Sequence, residues 1–332
     1  MTFKYNNVFI KETATVTGPY ESNGPLGKYF DHSYNDFYFQ ENTWEQAESR
    51  SIIDALDILL NKAKITRNDI DLFISGDLLN QLTSSNYAAS TLPFPYIGVY
   101  AACASSTLGL IIASSLVEQG NINNVLCAVS SHNNGAEKQF RYPVEYGGPK
   151  PKSTTFTATG SAIALVTNKK SNIKIESATI GKVVDLGIND VFNMGAVMAP
   201  AAADTIYNHL KETVRSIDYY DLILTGDLGI YGMDILKEYM QNEYGLTLKN
   251  YNDTGVMLYD LKNQEVYAGA SGPVCAPLVT YSYILKQMKE RKIKKVLLVA
   301  TGALHSQTTV NQKLSIPAVA HAISLEMVRW YI

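Results

Sequence analysis

The chain has 332 residues, 46% hydrophobic and 18% charged, enough for a sizeable core in one large domain or two medium ones. Its net charge of −3 arises from scattered Lys, Arg, Asp and Glu with no basic run, which argues against a nucleic-acid partner. Cys103, Cys127 and Cys275 form no CxxC pair, the first residues show no positive stretch before an apolar block, and no apolar run is long enough for a membrane span. The expectation is reduced thiols, no signal peptide and no spanning helix.

In chain order, GPYESNGPLGKYFDHSYND (18–36) reads as a loop rich in Gly, Pro, Asn and Asp. TWEQAESRSIIDALDILLNKAK opens with a Thr43-x-x-Gln46 capping box. It places Ile52, Leu56, Leu59, Leu60 and Ala63 on one helical face. DIDLFISGD and YIGVYAA read as buried strands, and ASSTLGLIIASSLVEQG as a helix ending at Gly120. NNVLCAVSS and GSAIALVT are two more strands, separated by a long insertion at 130–157. MAPAAADTIYNHLKETV is a helix with Pro200 expected near its first turn. This alternation predicts an α/β fold with a mostly parallel sheet.

Three stretches repeat in the same order. DLFISGDL (71–78) matches DLILTGDL (221–228), NVLCAVSS (124–131) matches KVLLVATG (295–302), and SAIALVT (161–167) matches HAISLEM (321–327). One such match is weak, since buried strands share composition; three in order, one with an identical Gly-Asp, argue for two similar halves. We divide the chain at 1–190, including the insertion 130–157, and 191–332.

A duplicated α/β chain with Cys103 at a strand-to-helix turn of its first half resembles the thiolase-like superfamily, which includes thiolases and ketoacyl synthases. The stretches NGPLGKYFD, SGDLLNQ, SSHNNGAEKQFRYPVEYGGPKP, MAPAAADTI, LILTGDL and VATGALHS resemble more closely the stage V sporulation protein AD family of spore-forming bacteria. The block at 132–151 is the most specific, because fold periodicity does not explain it. The resemblance implies a thiolase-like duplicated fold whose α/β halves are related by a pseudo-twofold axis. It also implies a part in the machinery that moves dipicolinic acid (pyridine-2,6-dicarboxylate), usually with calcium, into the developing spore. The expected place is peripheral at the spore inner membrane, with membrane-embedded proteins of the same sporulation system as partners.

In thiolase-like enzymes a cysteine at this turn attacks an acyl thioester, helped by the helix N-terminus and a nearby histidine. At the positions where the family's condensing enzymes carry His and then His or Asn, this chain reads Asp227 and Ser271. An aspartate beside the thiol disfavours the thiolate and supplies no donor to a carbonyl. The expectation is a non-catalytic site with Cys103 in the pocket wall. The alternatives are a plain core cysteine, or a nucleophile served by His305 or His132, the two histidines that follow strands leading toward the site.

A site for a flat dianion needs donors or cations at both ends and a face to stack on. The helix after Cys103 offers one carboxylate seat, and the turn at Gly302 a second. Arg141 is the favoured cation, ahead of Lys138; Tyr142 and Tyr146 are candidate stacking faces; Asn80, Gln81, His132 and Ser271 are further candidates. Each has a structural alternative: Arg141 as a loop brace, the tyrosines as loop packing, His132 as a loop cap. Asp77 and Asp227 occupy matching points of the two halves. Each can complete the oxygen shell of a calcium ion arriving with the ligand, or cap the turn that follows it, and for at least one of them the cap is favoured. No cluster has the spacing of a dedicated metal site, and no cofactor is implied beyond calcium carried in with dipicolinate. By resemblance, PYIGVYA is an edge strand that pairs two subunits into a homodimer. Three functions compete: a dipicolinate-binding protein, an acyltransferase using Cys103, and a scaffold for membrane partners that binds nothing small.

Overall fold

Apolar stretches rich in Val, Ile, Leu and Ala form strands in both halves of the chain, and the computed structural model, which describes residues 1–140 and 150–328, arranges them alike. The strands are β1 (Thr2–Lys4), β2 (Phe9–Thr17), β3 (His32–Ser33), β4 (Leu72–Gly76), β5 (Tyr96–Gly98), β6 (Asn124–Ser131) and β7 (Phe156–Thr157). They continue with β8 (Gly160–Thr167), β9 (Ile173–Ile180), β10 (Leu222–Thr225), β11 (Tyr251–Asp253), β12 (Ala270–Ser271), β13 (Lys295–Ala303) and β14 (Ala318–Met327).

The main sheet runs β5–β4–β6–β8–β2 and then β9–β14–β13–β10–β11. In the first set β5, β4 and β6 are parallel, with β8 and β2 antiparallel to their neighbours. In the second, β11, β10 and β13 are parallel, with β14 and β9 antiparallel. The sets meet where Phe9 and Ile10 of β2 pair with Lys174 and Ile173 of β9. The echoes read from sequence therefore correspond strand for strand: β4 with β10, β6 with β13, β8 with β14. By strand order the second set begins at β9.

Helix Ser105–Glu118 has no charged residue before its last position and is buried on most of its circumference, as a helix enclosed on several sides must be. It packs against β4, β6 and β8 of the first set and β9, β13 and β14 of the second, which makes it the shared middle layer. The helical run Cys275–Lys289 lies against β2 and β8. Helix Trp44–Ala63 covers β2, β6 and β8 from outside, and Met194–Thr213 covers β9, β13 and β14. Trp44–Ala63 buries Ile52, Leu56, Leu59 and Leu60, and Thr43 accepts from the Gln46 N–H at 3.2 Å, as the capping signal predicts. Gly120, at φ 82, terminates Ser105–Glu118.

The sheet is mixed and not mostly parallel, because β8, β2, β9 and β14 at its middle run antiparallel to their neighbours, and three local readings are also corrected. YIGVYAA is not one strand: β5 stops at Gly98, because the chain turns through Ala102 at φ 49 to start the next helix. Pro200 lies inside its helix, not in the first turn, because Asn193 caps the helix upstream by accepting from the Ala196 N–H at 3.3 Å. The insertion is not all loop: it continues from β6 into helix Asn133–Phe140.

The 18–36 loop is tied to the second half by Glu21. This fully buried carboxylate accepts from the Thr159 N–H at 2.9 Å and makes a short bond to the Tyr259 hydroxyl. Gln264 Nε2 also donates to the Tyr20 carbonyl at 2.8 Å. Burial pushes the Glu21 carboxyl up to about 7, against the lowering effect of its hydrogen bonds. Its folded-state pKa is raised, so its contribution to stability is complete below the ordinary carboxyl range and is lost as pH rises to about 7. We therefore expect the unfolding free energy from denaturant titrations to fall less between about pH 4.5 and 7 in Glu21→Gln than in the native chain. The difference is at most about 3 kcal/mol across that window, and identical pH slopes would contradict the burial described.

Candidate functional site

The turn that carries Cys103 is shaped by its neighbours. Val99 N–H donates to the Ser75 carbonyl at 2.9 Å, the last bond to β4 before the chain leaves the sheet. Ala102 then adopts the left-handed φ of 49, unusual for a residue with a side chain. Ser105 closes the turn: its Oγ accepts from the Ala101 N–H at 2.9 Å and donates to the Ala102 carbonyl at 2.7 Å. Gly302, near the end of β13, lies directly against this backbone; a Cβ there would sit 2.2 Å from the Ala101 carbonyl oxygen and 3.0 Å from the Ala104 nitrogen. The close approach that Gly302 permits is thus to the Cys103 turn, not to a ligand.

Cys103 lines a cavity of about 80 Å³ with Tyr100, Glu137, Phe140, Met194, Met198, Asp227, Ser271, Gly272 and His305 among its walls. The structure thus brings together four of the residues singled out from sequence: Cys103, Asp227, Ser271 and His305. Leu78, Tyr100, Phe140 and His305 also line an adjoining vestibule of about 480 Å³, formed by residues 78–82 and 304–309 with Gln139.

Asp227 is 1% exposed. Its Oδ1 accepts from the Thr301 hydroxyl at 2.7 Å, its Oδ2 accepts from the Gly272 N–H at 3.3 Å, and the Cys103 thiol faces it as a further donor. Burial, with a smaller contribution from the nearby Asp253 carboxylate, pushes Asp227 up to about 7 against these three donors. The thiol responds in the same direction. Burial first, and then the facing Asp227, hold Cys103 well above its ordinary range, while the Gly272 N–H works the other way. A thiol so placed stays protonated near neutral pH, despite the helix that begins just after it. Cys275, enclosed beside the Gly226 carbonyl at 3.5 Å, is held up for the same reasons.

The remaining candidates lie elsewhere. Asp77 is fully buried and lines neither space; its oxygens accept from the Leu79 and Ser85 N–H groups at 2.8 Å each, so it caps the turn after β4. Asn80 and Gln81 line the vestibule, not the inner cavity. His132 is 1% exposed and packs among Phe37, Phe39 and Trp44. Its Nδ1 accepts from the Asn134 N–H at 3.2 Å, so Nε2 carries the proton and donates to the Phe37 carbonyl at 2.7 Å. It is a loop cap outside the cavity. Lys138 pairs at the surface with Glu45 at 2.7 Å. Arg141, Tyr142 and Tyr146 lie outside the described residues.

Sequence reasoning missed Tyr100 and Phe140 as the aromatic walls where cavity and vestibule meet, Glu137 as a second acid in the lining, and Thr301 as the donor to Asp227. Tyr100 was legible only as part of a strand. Phe140 and Glu137 depended on recognising a helix inside the insertion, and only the run of helix-forming residues Ala136, Glu137, Lys138 and Gln139 carried that signal, weakly. Among the described residues, no Lys or Arg lines the inner cavity, and no group of three or more metal-ligating side chains forms.

The family model for stage V sporulation protein AD matches residues 1–326. Stage V sporulation protein AD of Bacillus subtilis (strain 168) is 45% identical over 319 residues, covering 96% of this chain and 94% of that protein. Among solved structures, a variant of OleA from Xanthomonas campestris is similar with a TM-score of 0.62 at 14% identity, covering 98% of this chain and 99% of that one. The 3-oxoacyl-[acyl-carrier-protein] synthase III of Aquifex aeolicus VF5 gives 0.57 at 13% identity, covering 96% and 99%. At such identities the likeness establishes the thiolase-like fold.

Two outcomes follow from the geometry. Gly302→Ala forces β13 off the Cys103 turn and is expected to destabilise the protein by about 3 kcal/mol in denaturant unfolding; an unchanged midpoint would contradict the contact. Asp227→Asn removes the negative charge facing the thiol, so alkylation of Cys103 by iodoacetamide near pH 8, followed by peptide mass spectrometry, should accelerate about tenfold. A rate equal to or below that of the native chain would show that the carboxylate does not hold the thiol protonated.

Proposed function

The chain belongs to the stage V sporulation protein AD family, and from that membership we propose that it is a non-catalytic receptor for dipicolinate, free or as its calcium chelate, in the machinery that fills the developing spore. The observation that carries this reading is the buried Asp227 carboxylate facing Cys103, where a proton-accepting imidazole would serve an acyl transferase. A protonated thiol beside an anion is a poor nucleophile and an adequate wall.

Tyr100 and Phe140 border both the inner cavity and the vestibule, and they suit the two faces of a planar ring. One carboxylate of the diacid then points inward, toward the N-terminal amides of Ser105–Glu118 and the Gly272 turn. The other lies in the vestibule among the neutral amides of Asn80, Gln81 and Gln139. None of the helices among the described residues is long and apolar enough to cross a membrane, so attachment at the spore membrane runs through protein partners in this reading. Pairing of two copies through the outermost strand β5 is supported by its apolar side chains, with Ile97 37% and nearby Tyr100 46% exposed.

A second reading, acyl transfer from a thioester to Cys103, is favoured by one observation: His305 lines the same cavity as the thiol. Two measurements on the full chain separate them. Calorimetric titration with dipicolinate, with and without calcium, is expected to give saturable one-site binding that Cys103→Ala alters by no more than about tenfold. Intact-mass analysis after incubation with acyl-CoA is expected to find no adduct. A stable acyl adduct on Cys103, or no dipicolinate binding in either condition, would overturn the receptor reading.

A further inference from the structure

The inner cavity is built for an unusual electrostatic task. Its described lining holds two acids, Asp227 and Glu137, and no Lys or Arg. Glu137 is already countered by Lys150, whose Nζ lies 3.0 Å from Glu137 Oε2. Asp227 has no cation against it among the described residues; its partners are the Thr301 hydroxyl, the Gly272 N–H and the Cys103 thiol, all neutral. The other titratable groups around it are Asp253 at the end of β11, Cys275 at the start of its helix, and His305 and Tyr100 across the cavity. Asp253 is fully buried and fixed as a carboxylate acceptor by the Thr225 hydroxyl and the Leu228, Gly229 and Gly255 N–H groups, so it adds negative potential and does not neutralise any.

An anion that enters this space meets a second buried anion within a few ångströms, in a medium that screens poorly. Two carboxylates sharing such a site cannot both stay ionised at ordinary cost, and the usual resolution is that one takes a proton. We propose that an anionic ligand enters the Cys103 cavity together with one proton, which is taken up by Asp227 and lets that side chain donate a hydrogen bond to the ligand instead of repelling it. Thr301 is compatible with the exchange, since its hydroxyl goes on donating to Oδ1 while the acid's single O–H, on the other oxygen, is left for the ligand. The position of Asp227 near the midpoint of its own titration at neutral pH keeps the proton available at small cost. Affinity therefore falls as pH rises, because the complex binds more protons than the free protein.

The inference rests on the receptor reading for its ligand, and the experiment separates the two. Dipicolinate is titrated calorimetrically into the full chain from pH 6 to 9, at each pH in buffers of different ionisation enthalpy. The expected result is uptake approaching about one proton per dipicolinate near pH 8, shrinking toward about pH 6, with affinity falling by up to about tenfold per pH unit in the alkaline range. In Asp227→Asn, uptake disappears and affinity becomes flat with pH, and thermal unfolding reports whether that variant is folded. The buffer series on the native chain stands without it. Binding with no buffer dependence overturns the proposal and leaves the receptor reading intact. Uptake that persists in Asp227→Asn but vanishes in His305→Gln also overturns it, by assigning the proton to the imidazole. Absence of binding at every pH removes the receptor reading and the proposal with it.

Discussion

The site is organised by the contact between the Cys103 thiol and the Asp227 carboxylate, made deep in the protein where the two halves face one another across the middle layer. Each group sets the state of the other. Burial first and then the facing carboxylate keep the thiol protonated, and the thiol is one of three donors that offset the burial of the carboxylate. Neither could be placed without Gly302, whose missing side chain lets β13 press against the backbone of the Cys103 turn. A fold shared with condensing enzymes thus presents its turn cysteine to an acid.

The internal duplication sharpens this point. Asp77 and Asp227 follow equivalent strands, β4 and β10, and both are buried. Asp77 accepts from the backbone N–H groups of Leu79 and Ser85 and is fully buried away from both the cavity and the vestibule. In the second half the corresponding backbone duty falls to Asp253, which caps the start of the helix after β10. Asp227 is thereby released to turn toward the cavity, held by a side-chain hydroxyl from β13 and an amide from the Gly272 turn.

Much of the architecture was legible in the residues. Identical Gly-Asp pairs after similar apolar runs marked β4 and β10, and the order of the echoes gave the mirrored strand order. Cys103, Asp227 and His305 come after β5, β10 and β13, which let the sequence bring them together, whereas Ser271, itself in β12, was indicated only by the resemblance to condensing enzymes. What was not legible depended on close three-dimensional approach. The true role of Gly302, the burial of His132 among aromatic rings, and the shift of Pro200 into a helix interior depend on neighbours far away in the chain or on a cap that propensity alone does not rank. YIGVYAA has full strand propensity, yet the backbone of Ala102 is forced into a left-handed turn by the packing around it.

The central claim is that a protonated thiol and a buried aspartate form the floor of a ligand pocket. A crystal structure of the protein soaked with dipicolinate tests it most directly. The account requires the ring to lie between Tyr100 and Phe140, with one carboxylate toward Cys103 and Asp227 and the thiol unmodified. Ligand density at a distant surface, or an imidazole in place of Asp227 against the sulfur, would contradict it.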